Sequence, residues 1–260
     1  MAQDDNPVRD IGDLIIAATA KRYSAYCRGR HLLELPDDVD EIACTDLLNP
    51  DFFAGVITQF STRYPETTDR RAIISLWSLH YFSSLVITPA IAFLELNRVL
   101  PLALHETSLL IDRQTGTPRG FKLKNSGHVD HTADVLEGLR PLIRAHMDLL
   151  IPHLASLSKL SRKTFWTNAS AYLSWIIHEI GRHTDTTHAT AMRTITECAT
   201  WPDGWRNPLA GMVRVERAAN GDYIGNRRVC CLRYCVPGVG GCGSICPVPE
   251  GRSPQVSAVA

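Results

Sequence analysis

From Ala72 to Leu94 the chain runs 23 residues without an Asp, Glu, Lys or Arg. A helix of that length can cross a bilayer. The run also holds Ser75, Ser78, His80, Ser83, Ser84 and Thr88, and Pro89 interrupts it. A helix apolar on nearly every side is equally the centre of a large globular core. The polar content favours the core reading, so the rest of the chain must wrap around this segment. At 260 residues, 45% of them hydrophobic and 21% charged, the chain can bury such a core as one large domain or two small ones.

The flanking sequence reads mainly as helix. Apolar residues near helical spacing predict an amphipathic helix from Asp10 to Arg28. Asn49-Pro50-Asp51 supplies a cap and a first-turn proline for a second helix that ends before Pro65. The third helix starts at Thr68-Asp69 and stops at Pro89, and a short helix follows from Ala90 to Val99. Thr107–Asp112 and Arg119–Lys124 read as strands of a hairpin around Gln114–Pro118. Helical pattern resumes from Thr132 to Leu157, with breaks at Pro141 and Pro152. It continues from a Ser161 cap to Ile180, with Gly181 as the stop, and from Thr184 to Thr200. Met212–Glu216, an Asn220-Gly221 turn and an extended run to Val229 form a second β element. The expected class is mainly α with small β elements (α+β). A helical body spans residues 1–206, a cysteine module 207–247 and a disordered tail 248–260.

Five of the eight cysteines fall between Cys230 and Cys246, and Gly238, Gly240, Gly241 and Gly243 surround the last pair. The N-terminal start, Met-Ala-Gln-Asp-Asp-Asn, lacks a basic segment followed by an apolar one, which predicts no secretory signal and a reducing compartment. There, clustered thiols bind metal or do redox work. Cys230, Cys231, Cys242 and Cys246 have the spacing C-C-x10-C-x3-C. Glycine lets the loop turn its N–H groups toward sulfur, as hydrogen-bonded clusters require. Adjacent cysteines diverge in extended backbone and fit a single zinc poorly, whereas a two-iron cluster is wider. The spacing therefore favours an iron–sulfur centre over zinc or redox thiols. A second set of four, Cys231-x3-Cys235 with Cys242-x3-Cys246, stays open and would free Cys230. Cys27, Cys44 and Cys198 are isolated and read as buried or partly buried free thiols.

Other motifs carry less. The 27 basic and 27 acidic residues cancel, which gives no support to a nucleic-acid partner recognised by overall charge. His178 and His183 are five apart, about 140° around a helix, and so cannot share a zinc from one face. His128-Val129-Asp130-His131 reads as a solvated or capping loop. No glycine-rich phosphate loop is present.

Arg227-Arg228-Val229-Cys230-Cys231-Leu232-Arg233-Tyr234, then Pro237-Gly238 and Cys242 to Cys246-Pro247, resembles the C-terminal module of the FhuF-type ferric-siderophore reductases. The likeness extends to Leu76-Trp77-Ser78-Leu79-His80-Tyr81 ahead of Pro89, to Phe165-Trp166-Thr167-Asn168-Ala169-Ser170-Ala171-Tyr172, and to Asn207-Pro208-Leu209. It covers roughly Leu14 to Pro247. The chain departs from the family pattern in closing with C-x3-C instead of C-x2-C, and in placing Cys235 where that pattern has no cysteine. The helical body also resembles part of the siderophore synthetases, without a nucleotide motif.

The resemblance implies a cytoplasmic protein, able to sit at the inner face of a membrane, with one 2Fe–2S cluster on Cys230, Cys231, Cys242 and Cys246. It implies one-electron reduction of Fe(III) in a hydroxamate-type siderophore, releasing Fe(II), with electrons from a low-potential donor. No catalytic residue beyond the cluster ligands is expected. Arg227, Arg228 and Arg233 would raise the local positive potential near the thiols. The rival readings are an iron–sulfur electron-transfer or sensor protein and a zinc-stabilised binding protein.

Overall fold

A computed structural model of the chain describes residues 8–182, 187–217 and 223–252. Helix α1 (Ile11–Ala18) is capped by Asp10, whose carboxylate accepts from Gly12 N. The same carboxylate accepts from Gly29 N at 2.7 Å. A single helix over Asp10–Arg28 would be about 28 Å long and could not bring Gly29 back to its own start. The chain instead turns through left-handed Ala20 and Lys21 and re-enters a short α2 (Ser24–Cys27).

A four-stranded sheet follows. Its strands are β1 (His31–Leu32), β2 (Val39–Ala43), β4 (Thr107–Asp112) and β5 (Pro118–Leu123), in the order β1-β5-β4-β2. β4 and β5 form the expected hairpin, with Thr107 opposite Leu123, while β1 joins β5 in parallel with His31 beside Phe121. Gly120 is required here, because a Cβ on it would stand 2.7 Å from the Arg30 carbonyl oxygen. β3 (Arg98–Val99) pairs with β6 (His128–Val129) in a separate two-stranded ladder.

α3 (Pro50–Ser61) begins on an Asn49 cap, and α4 (Arg70–Leu96) on an Asp69 cap. The uncharged run lies within α4, which passes straight through Pro89 and ends at left-handed Asn97. The expected break does not occur. A proline costs a helix about 3 kcal/mol, and burial of Leu85, Val86, Ala90, Ile91 and Ala92 on both sides of it offsets that. By length and composition α4 could cross a membrane, but 72% of its most apolar window is buried inside the protein. Trp77, Tyr81, Phe82 and Leu85 are wholly buried and form the centre of the core.

The segment from Thr132 to Leu157 is broken more finely than its periodicity suggests. It contains α5 (Val135–Gly138), α6 (Arg140–Leu142), a π-helical turn over Ile143–Met147 and α7 (Asp148–Ser158). The turn places His146 in the core. A carbonyl can only accept, so His146 Nδ1 donates to Leu102 O, and Nε2 accepts from the Tyr81 hydroxyl at 2.6 Å. α8 (Arg162–Gly181) starts at the Ser161 cap and packs lengthwise along α4. α9 (Thr187–Thr196) lies against α8, and β7 (Val213–Arg217) pairs antiparallel with β8 (Tyr223–Arg227), which also contacts α8.

Candidate functional site

The cysteine loop leaves β8 and folds back onto the helical body. Leu232 adopts φ 56°, turning the chain directly after the adjacent cysteines, and its N–H donates to Cys230 Sγ at 3.3 Å. One 3-10 turn covers Arg233–Cys235 and a second covers Gly243–Ile245, with Gly238 and Gly243 at positive φ where the loop reverses. Buried Val236 anchors the loop in the core. A last 3-10 turn, Pro249–Arg252, lies inside the stretch expected to be tail, and Arg252 Nε donates to Cys246 O at 3.0 Å. Residues 253–260 lie outside the described residues.

The thiols gather in twos. Cys231 Sγ and Cys242 Sγ stand 3.1 Å apart. Cys230 faces Cys246 across the same loop, with Cys231 beside it. Cys235 lies beside Tyr234, which also senses Cys230, and is near enough to Arg71 at the start of α4 to act on its charge. Among the described residues no three His, Cys, Asp or Glu side chains come close enough to hold one metal ion. Cys27 and Cys44 are buried as expected, but Cys198 is exposed just beyond the end of α9.

Electrostatics distinguish the members of each pair. The Cys231 thiol is held below the usual thiol range by its hydrogen bond with Cys242 and by the Arg227 and Arg233 guanidiniums. Cys242 is pushed up, because it keeps the proton of that pair and is partly desolvated. Burial pushes Cys230 up to about 11.

Two of the three arginines picked out by the sequence reach this site. Arg227 is only 5% exposed and donates through Nη2 to Asn168 Oδ1. Asn168 in turn donates to Ser78 Oγ at 2.8 Å and Ser75 Oγ at 3.3 Å on α4. Arg227 Nε and Arg233 Nε are buried without a hydrogen-bond partner among the described residues. Neither residue forms an ion pair among those residues, and Arg228 faces solvent.

A cavity of about 520 Å3 opens beside the thiols. Leu79 and Ile87 of α4 line it on one side, and Tyr172 and Trp175 of α8 on another. Tyr26 meets Trp175 edge to face, with ring centroids 5.0 Å apart. Arg227, Arg233 and Cys242 complete the lining toward the loop. Tyr172 and Trp175 are one helical turn apart and so share a face, a signal readable in the sequence. Tyr26 arrives from the other end of the chain and carries no such signal.

The remaining sequence candidates do not converge here. Asp130 caps its own loop, accepting from Thr132 N and Ala133 N, and His128 is exposed. His178 lies on α8, while His183 is outside the described residues.

The family model described as "Ferric iron reductase FhuF-like transporter" matches residues 75–222, more than half of the chain. The protein therefore belongs to the FhuF-like family, an assignment that implies a role in siderophore iron handling. The match includes α8 and α4 from Ser75 onward, and stops before Cys230. No curated protein sequence matches the chain. Among solved structures it is similar to the aerobactin synthetase IucC from a hypervirulent pathotype of Klebsiella pneumoniae, with 14% identity and a TM-score of 0.48. That alignment covers 67% of this chain and 37% of the synthetase, so the chain spans little more than a third of its length.

Proposed function

We propose that this protein is a ferric-siderophore reductase that holds a 2Fe–2S cluster on Cys230, Cys231, Cys242 and Cys246. The observation that carries the reading is the gathering of those thiols in two pairs within a loop on a FhuF-like body. A two-iron cluster takes two thiolates per iron, the number that the two pairs of thiols supply. When bound, the cluster supplies one electron at low potential.

The chain's own residues do the rest. Arg227 and Arg233 favour the thiolate form of Cys231, which a ligand sulfur must adopt. The Leu232 N–H donates to Cys230 Sγ, a contact of the kind that tunes sulfur-bound iron. Fe(III) is a hard ion held tightly by hydroxamate oxygens, and Fe(II) is held far less tightly. A single electron passed to the chelate therefore opens it, with no acid–base pair required. A low-potential donor then restores the reduced state. The cytoplasm, including the inner face of its membrane, is where an imported chelate would meet the protein.

Iron and acid-labile sulfide analysis of anaerobically purified protein tests the cofactor, with about two of each expected per chain. One zinc without sulfide would sink the proposal in favour of a structural zinc module. Mixing chemically reduced protein with ferric hydroxamates and trapping Fe(II) tests the reaction. An intact cluster that reduces none of them would mark an electron-transfer or sensor protein instead.

A further inference from the structure

The cavity beside the thiols has a lining that specifies its occupant. Tyr26, Tyr172 and Trp175 give it aromatic walls, and Arg227 and Arg233 provide the charged groups of its lining. Among the described residues no Asp or Glu lines it. The Nε–H groups of both arginines are buried without an acceptor among the described residues, and Arg227 is more than nine-tenths buried. A buried donor left unpaired is costly, so the chemistry that completes this lining is an oxygen acceptor carried on an apolar frame. Its volume of about 520 Å3 lies in the range of small-molecule sites, roughly 300–1,000 Å3. Cys242 belongs both to the lining and to the closest thiol pair, so an occupant of the cavity touches a residue of the proposed electron donor.

We propose that this cavity is the docking site for the ferric chelate, and that it selects an uncharged or anionic, oxygen-rich complex whose hydroxamate oxygens accept from Arg227 and Arg233. The proposal rests on the reductase reading above and adds where the substrate binds. Tyr26 and Trp175 form the outer corner and pack against the apolar arms of the chelate. Ala171, also in the lining, leaves room that a larger side chain would fill. A cationic chelate would meet the two guanidiniums and bind less well.

The test separates docking from electron transfer by using gallium(III) desferrioxamine E, an uncharged complex that cannot be reduced. Calorimetric titration into cluster-loaded protein is expected to give saturable binding. Arg233→Ala and Ala171→Trp should each weaken it at least tenfold, and Ala171→Trp should do so while the iron and sulfide content and the optical spectrum match the unaltered protein. Trp175→Phe, which keeps an aromatic wall, should weaken it less than Trp175→Ala. Suppose the ferric complex is reduced but gallium binding is the same in Arg233→Ala and Ala171→Trp. The cavity assignment is then overturned and the reductase reading stands. If binding depends on the cavity but reduced protein passes no electron to the ferric complex, the reductase reading falls and the binding site stands. Absence of both binding and reduction overturns the two together.

Discussion

Arg227, at the end of β8, donates to Asn168 in the middle of α8, and that contact joins the cysteine loop to the helical core. Asn168 spends its amide N–H groups on Ser75 and Ser78, so its oxygen is left to accept from the guanidinium. A buried cation with only neutral hydrogen-bond partners is expensive unless an anion lies close by. Arg227 in turn helps to hold the Cys231 thiol below the usual thiol range, after the hydrogen bond from Cys242.

Replacing Arg227 by Gln keeps a donor for Asn168 and removes the charge. Adding an electron to an anionic centre then becomes harder, so the midpoint potential should fall. Taking a separation of roughly 10 Å and an effective dielectric of about 20, the loss is about 1.7 kcal/mol. For a one-electron couple this is on the order of 70 mV. Potentiometric titration checks it, and an unchanged potential with full cluster content would remove Arg227 from the electrostatics of the site.

Serine substitution at each clustered cysteine separates the two sets of four. Loss of sulfide and of the visible absorption is expected for Cys230→Ser, Cys231→Ser, Cys242→Ser and Cys246→Ser. Cys235→Ser should retain both if Cys235, which lies beside Tyr234, is the spare thiol of the five. The reverse pattern at Cys230 and Cys235 would assign the ligands to the two C-x3-C pairs.

The contrast between the two readings of α4 shows what a sequence of this kind reveals. The absence of charge from Ala72 to Leu94 marks a segment buried on all sides, and α4 is that segment. Pro89 reads as a stop because propensity is a local quantity, whereas the packing that carries α4 past it comes from residues far along the chain. The broken helix at Ala20 has a similar origin, in the Asp10 to Gly29 contact. At the site, cysteine spacing and the arginines are visible as residue types. That Asn168 fixes one arginine, that Arg228 turns outward and that Tyr26 reaches Trp175 are tertiary facts with no local pattern behind them.

Two wholly buried histidines make the fold sensitive to acid. Burial pushes His31 down to about 3 and His146 to about 4, so both are neutral in the folded protein at pH 7. An unfolded histidine titrates near 6.5. The unfolded chain therefore binds more protons as pH falls below about 6.5, and the stability present above that value is progressively lost down to the folded values. Each histidine contributes up to about 1.4 kcal/mol per pH unit in that window. Neither His31 nitrogen has a hydrogen-bond partner among the described residues. His31→Leu should consequently flatten the dependence between pH 6 and pH 4 in denaturant titrations, roughly halving the slope from these two residues. An unaltered slope would mean that His31 takes up its proton without unfolding.

Gly120→Ala should destabilise the protein by about 2–3 kcal/mol, within the range for overpacking. The new methyl would stand 2.7 Å from Arg30 O and 2.9 Å from Gly29 O, both backbone atoms that cannot swing aside. The measurement is a denaturant midpoint with unchanged slope. A loss below about 0.5 kcal/mol, the level of an ordinary surface change, would show that β1 moves freely away from β5.

Helix α4 carries Ser75 and Ser78 for Asn168, Leu79 and Ile87 for the cavity, and Tyr81 for His146. These positions face different neighbours on successive turns of one rod. Inserting or deleting a single residue would rotate everything beyond it by about 100°, withdrawing several of these side chains at once. The length of α4 from Ser75 to Ile87 is thus set as a unit, a shared ruler along which one side chain can be exchanged for another but no residue added or removed.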